Sequence, residues 1–295
     1  MPYSQLTFHI LPHHSNFLLI FVRYKQIQKM KEKNPSSEII IVLTEHPVLG
    51  VLLTPYLAEQ SPEGDEIRLM EQAFHASNKV MEQMTEAERK AIEIASYYTE
   101  KHLMQLYSNE KIPSRFLQKL STDPAKIKKT VRPYIDEKLI EMVKLILQED
   151  LTFYQKQSRS NVLYPHNAYN INRQPVKTSF IFELNGAEFS YQLECEYEDR
   201  PLAITEHKPV VVVTTSQATL LLGMELYFFD HMESSRLMPF TKRTRITVDA
   251  EHLQKYIDNI IIPIARYHKI STRGLDISKD LIAAGLEEVE HEVLD

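Results

Sequence analysis

The chain has 295 residues, 43% of them hydrophobic and 25% charged, which is enough apolar material to bury a sizeable core. A formal charge of −6 excludes a dedicated nucleic-acid coat, and six Gly against fifteen Pro leave few positions for a glycine-rich phosphate cradle. The single cysteine, Cys195, can build neither an internal disulfide nor a thiolate metal cage, so a reducing, cytoplasmic setting is expected. No apolar stretch nears the roughly 18 residues that span a bilayer, so no membrane partner is expected.

Two β-rich runs open the chain, Gln5 to Leu11 and Phe17 to Lys25, separated by the hairpin-like Pro12 to Asn16, and a third follows at Glu38 to Thr44. Together they predict a small N-terminal sheet. From about Leu69 to Leu147 the spacing becomes helical, with breaks near Ser108 to Pro113 and at Asp123-Pro124, and three or four helices fit. Ile92, Ala95, Tyr98, Leu103 and Leu106 form one apolar stripe, and Ile135, Leu139, Met142, Val143 and Ile146 form another; both read as core.

Beyond Asp150 strands take over. Ser179 to Leu184 and Glu188 to Glu196 flank Asn185-Gly186, a two-residue hairpin turn, and further strands fit Leu202 to Thr205, Val210 to Thr215, Glu225 to Phe229 and Thr244 to Val248. Asp249 is placed to cap a late helix carrying Leu253, Tyr256, Ile257 and Ile260, kinked or ended by Pro263, before a short strand near Ile270. The expected class is α+β: residues 1–150 as a mixed, mainly helical accessory unit, 151–277 as an antiparallel β-rich unit, and 278–295 as an acidic connector toward a downstream segment.

Candidate chemistry is sparse. No two of the six glycines have the spacing of a phosphate loop, and the twelve His include neither a His-Glu-x-x-His word nor an i, i+4 pair on one face of an expected helix. Glu194, Glu196 and Glu198 alternate along a predicted strand, and Glu206 and Lys208 follow two residues apart. That pattern fits a carboxylate-plus-lysine Mg-dependent nuclease, or, more simply, a solvated sheet face. Two basic clusters stand out: Lys126, Lys128, Lys129 and Arg132, and Arg236, Lys242, Arg243 and Arg245. The second is interleaved with Phe240 and close in sequence to Tyr227, Phe228 and Phe229, so it is the better candidate for gripping a nucleic-acid backbone.

Four stretches carry a resemblance when read in order: LTEHPVLGVLLTPYL (Leu43 to Leu57), EIASYYTEKHLMQLYS (Glu93 to Ser108), VRPYIDEKLIEM (Val131 to Met142) and the run from Leu237 to Ile277, which includes PFTKRTRITV and RGLDI. They resemble the region that precedes the motor in bacterial SNF-family, SWI/SNF-like helicases. The resemblance implies a non-catalytic accessory region acting in cis on a downstream ATP-dependent translocase. DNA would be the partner, ATP and Mg would be confined to that motor, and this chain would hold no cofactor or catalytic residue of its own. A stand-alone protein-interaction module using the β half around Phe228 and Phe229 is the rival expectation.

Overall fold

The structure is a computed structural model, and the residues it describes are 38–149, 151–156, 160–206, 208–287 and 289–294. The two runs expected at Gln5 to Leu11 and Phe17 to Lys25 lie outside them. The first sheet has the order β4-β1-β2-β3-β5, built from β1 (Glu38–His46), β2 (Gly50–Gln60), β3 (Ile67–Gln72), β4 (Phe153–Gln155) and β5 (Val162–Leu163). The helical pattern expected from Leu69 therefore begins later. Ile67 and Leu69 are buried while Arg68 and Met70 are exposed, a two-residue period that only a strand satisfies. β2 contains Pro55 opposite Ile41, and it tolerates a residue without an N–H because β3 stops opposite Tyr56.

Both faces of this sheet are buried, because the side chains alternate along each strand. Ile41, Leu43 and Leu53 pack toward the helices, while Ile40, Val42, Ala58, Ile67, Tyr154 and Leu163 form a separate cluster on the other face. The helices are α1 (Asn78–Gln83), α2 (Glu86–Ser96), α3 (Glu100–Tyr107), α4 (Pro113–Ser121) and α5 (Arg132–Glu149). Thr85 starts α2 with a capping box: its hydroxyl accepts from the Glu88 N–H at 3.2 Å, and the Glu88 carboxylate accepts from the Thr85 N–H at 2.7 Å. Both expected apolar stripes are buried apart from Leu106, which is 50% exposed in the last turn of α3.

The remaining strands form two sheets. β6 (Asn170–Ile171), β10 (Val210–Val213), β11 (Gln217–Leu222) and β12 (Glu225–Asp230) make a four-stranded sheet in the order β10-β11-β12-β6. β7 (Lys177–Asn185), β8 (Glu188–Tyr197), β13 (Arg245–Asp249), β14 (Lys269–Arg273) and β15 (His291–Leu294) make the third, in the order β13-β8-β7-β14-β15, with β9 (Arg200–Pro201) paired to β8. The Asn185-Gly186 turn joins β7 and β8 as expected, with Gly186 at φ +59°. This half is mixed rather than antiparallel, since β14 runs parallel to both β7 and β15. The long helical crossover between β13 and β14 returns the chain in the direction of β7. Leu202 to Thr205, expected as a strand, leads instead into a 3₁₀ turn at Ile204–Glu206. The acidic segment after Ser278 forms α9 (Ser278–Ala283) and then β15, with Glu290 just before the strand and Glu292 within it flanking Lys269.

Further short helical pieces include α6 (Ser234–Leu237), α7 (Leu253–Tyr256), α8 (Ile262–Ala265) and the π turn Ile257–Ile261 that links the last two. Pro263 neither ends nor breaks this helix. A proline cannot donate to the carbonyl four residues back, and the π turn immediately before it absorbs the mismatch. The same solution recurs at Pro133, which follows the π turn Ile127–Val131 at the head of α5. Asp249 caps the crossover as the sequence predicts, its carboxylate accepting from the Glu251 N–H at 2.8 Å.

The four-stranded sheet is a wall shared by two cores. Leu221 and Leu226 face the helical core around Leu103, Leu139 and Met142, whereas Ala218, Leu220, Leu222, Tyr227 and Phe229 face the core beneath the six-stranded sheet. One alternation of side chains in β11 and β12 thus ties the N-terminal and C-terminal halves into continuous packing.

Candidate functional site

The first basic cluster divides on inspection. Lys126, Lys128 and Lys129 are exposed along the turn leading into α5, with Asp123 capping the Lys126 N–H at 2.9 Å and Lys126 Nζ donating to the Tyr107 carbonyl at 2.9 Å. Lys128 and Lys129 make no ion pair with another described residue. Arg132 is not a surface cation, and its assignment to the patch is corrected. Its side chain is 11% exposed, and it donates to the carbonyls of Leu49 and Val51, both at 3.0 Å, and to that of Val212.

The partner of Arg132 is Asp136, fully buried one turn along α5. Arg132 Nε lies 2.7 Å from Asp136 Oδ1, as an ion contact rather than an aligned hydrogen bond, and Asp136 Oδ2 accepts from both the N–H and the hydroxyl of Thr214. One guanidinium and one carboxylate therefore join the β1–β2 turn, α5 and the end of β10. Burial pulls the Arg132 pKa down while Asp136 counters it, and the two charges face each other with five backbone or hydroxyl groups around them.

The second basic cluster also disperses. Arg245 is engaged by Glu183 across the six-stranded sheet, and Arg236 is half-buried on α6. Lys242 and Arg243 are exposed and make no ion pair with another described residue. The neighbouring aromatics are not available for stacking on bases, since Phe229 is fully buried, Phe240 and Tyr227 are buried, and Phe228 packs against the helical core. The same burial removes the apolar surface expected at Phe228 and Phe229 for a protein-interaction module.

The residues of the nuclease pattern lie on separate elements. Glu194 and Glu196 lie on the outer face of β8, where Glu194 accepts from the Ser179 hydroxyl at 3.4 Å and Glu196 lies 3.5 Å from Lys177. Glu198 sits in the β8–β9 turn at φ +50°, and Glu206 ends a separate 3₁₀ turn ahead of Lys208. Among the described residues, no three His, Cys, Asp or Glu side chains come together as metal ligands. None of the described helices is long and apolar enough to cross a membrane.

A site that sequence reasoning missed lies where the six-stranded sheet ends against the turn after β12. A cleft of about 790 Å³ is lined there by Val176, Thr178, Cys195, Leu202, Tyr267 and His268, among others. His231, in the left-handed region at φ +54°, stacks on Tyr267 with centroids 4.4 Å apart and planes 9° from parallel. His268 is buried between them and the sheet. Its Nε2 lies 3.3 Å from the His231 carbonyl, which can only accept, so Nε2 holds the proton and Nδ1 accepts from the Thr178 hydroxyl at 2.7 Å. Burial holds the His268 pKa below the ordinary histidine value, favouring the neutral ring, and burial pushes the Cys195 thiol up to about 12, which disfavours the nucleophilic thiolate. These residues come from five separated segments, so no local spacing could have announced them.

The chain matches no protein-family model, no curated protein and no solved structure.

Proposed function

We infer that the chain is a non-catalytic accessory region of an SNF-like ATP-dependent DNA translocase, one that holds duplex DNA by its phosphates for a motor acting in cis. The observation that carries this reading is that three of the four stretches bearing the resemblance lock onto one another. The Tyr98 hydroxyl of the second donates to the Leu53 carbonyl of the first, and His46 of the first lies 3.3 Å from Glu100 of the second. Tyr134 of the third lies 3.3 Å from His102 of the second, and Arg132 of the third holds the Leu49 and Val51 carbonyls of the first. The residues that carry the resemblance are thus contact residues of one scaffold.

On that scaffold, Lys128 and Lys129, with Lys126 beside them, and separately Lys242 and Arg243, are exposed cations that would meet phosphates. Binding through them is sequence-independent and salt-dependent, with log affinity falling by about 0.9 per phosphate contact for each tenfold rise in salt. The test is duplex binding by the whole chain across a salt series, comparing wild type with Lys128→Ala, Lys129→Ala, Lys242→Ala and Arg243→Ala combined. A shallower slope and weaker binding on every duplex sequence are expected; an unchanged slope overturns the DNA-holding role.

A further inference from the structure

The cleft beside His231 and Tyr267 has features that the DNA-holding reading does not use. Its charge balance is negative: Glu194, Glu196, Asp230 and Glu290 line it against Lys177 and Lys269. Both lysines are already committed, Lys177 to Asp199 at 2.8 Å and Glu196 at 3.5 Å, and Lys269 to Glu290 at 3.1 Å and Glu292 at 3.7 Å. Glu194 and Asp230 have no cationic partner among the described residues. A phosphate or carboxylate ligand would meet repulsion here, and a cation would meet unspent negative charge.

The wall opposite is aromatic. Tyr267 is 59% exposed, a large planar side chain left in solvent, and it presents its ring together with that of His231 as a two-ring stack. His231 maintains a left-handed backbone that a non-glycine residue adopts at a cost, fixed by its carbonyl's contact with buried His268. Cys195, a free thiol 8% exposed, lies on the cleft wall. An open cleft with a flat aromatic wall, a rigid backing and uncompensated carboxylates suits a planar cation better than a compact one. A guanidinium can lie on the ring stack and fork its N–H donors to a carboxylate, which an ammonium cannot.

We propose that this cleft binds an arginine side chain presented by an extended peptide segment of a partner protein, with the guanidinium against the His231–Tyr267 stack and its charge met by Asp230 and Glu194 of the cleft lining. The role is independent of the DNA-holding reading, so loss of DNA binding in the Lys128 and Lys129 variants leaves it standing.

The test uses the whole chain and a fluorescein-labelled hexapeptide, Gly-Ser-Arg-Ser-Arg-Gly, read by anisotropy, beside the same peptide with citrulline in place of arginine. The arginine peptide is expected to bind at least about tenfold more tightly, and its affinity to fall as salt is raised. Tyr267→Ala is expected to weaken binding about three- to fivefold while Tyr267→Phe retains it, and Asp230→Asn with Glu194→Gln to weaken it about tenfold. Asp230 and Tyr267 are exposed and Glu194 lies on the solvent face of β8, so these variants should fold, with circular dichroism as the check. His231→Gly, which suits the left-handed backbone but removes one ring, gives a further variant that cannot fail through strain. Equal binding of the citrulline peptide, no binding at millimolar concentration, or affinity unchanged in Tyr267→Ala and in the acid-to-amide pair would each overturn the proposal. Duplex binding that is lost with Tyr267→Ala would assign the cleft to nucleic acid and overturn it as well.

Discussion

Replacing Asp136 with Ala removes the only counter-charge, among the described residues, of a buried guanidinium. In the native fold Asp136 is fully buried and Arg132 is 11% exposed. The carboxylate also serves as acceptor for the Thr214 N–H at 2.9 Å and for the Thr214 hydroxyl. The variant leaves a desolvated cation beside three carbonyls and two unpaired donors at Thr214. Stripping one partner from a buried ion pair costs about 3–5 kcal/mol, and Asp136→Ala is expected in that range. Removing both charges together, as Arg132→Met with Asp136→Leu, is expected to cost less than the sum of the single changes by about 1–3 kcal/mol. Urea unfolding followed by circular dichroism is the suitable assay, since the chain contains no tryptophan. Because the pair joins α5 to β10, the loss is expected as a single shifted transition spanning both halves. A loss below about 1 kcal/mol, or strict additivity in the double variant, would refute the reasoning.

Further outcomes follow from the same geometry. Gly274 sits at φ +63°, and a Cβ there would lie 2.4 Å from the Leu184 carbonyl oxygen, whereas Gly186 at φ +59° has nothing within 4 Å. Thermal melts should therefore show Gly274→Ala losing clearly more stability than the roughly 1–2 kcal/mol expected from left-handed strain alone in Gly186→Ala. His268 keeps its neutral form in the fold, so the stability it contributes is present above the unfolded value of about 6.5 and lost as pH falls through it. His268→Gln should flatten that acid limb in denaturant titrations, and an unaltered limb contradicts the assigned environment. The Cys195 thiol, held up to about 12 by burial, should resist alkylation at pH 8 in the native chain and react at once in urea; rapid native labelling contradicts its placement.

Much of the fold could be read from local chemistry. The Asn185-Gly186 turn, the Asp249 cap and the stripe from Ile135 to Ile146 each rest on a few neighbouring residues, and each is present. β3 alternates yet is absorbed into the helical run that follows it, and β11 was not legible as a strand because residues such as Ala218, Leu220, Leu221 and Leu222 are buried without alternation. They face a core on both sides, which erases the two-residue signal. Charge was the least legible property. Lys128, Lys129 and Arg132 look alike in sequence, yet Arg132 adjoins the buried Val131 and Ile135 and faces Asp136 four residues on, and its role is set by packing from β1–β2 and β10. That Arg-x-x-x-Asp spacing beside a buried stripe was the one available hint. The cleft offered none, since His231, Tyr267 and Thr178 meet only through tertiary structure.

Hydrogen exchange of the whole chain with and without a duplex oligonucleotide tests the central claim most directly. The account predicts added protection at residues 126–131 and 242–245, lost as salt is raised, with the interior strands β11 and β12 unchanged. Protection absent from both basic segments while the duplex is bound would contradict it.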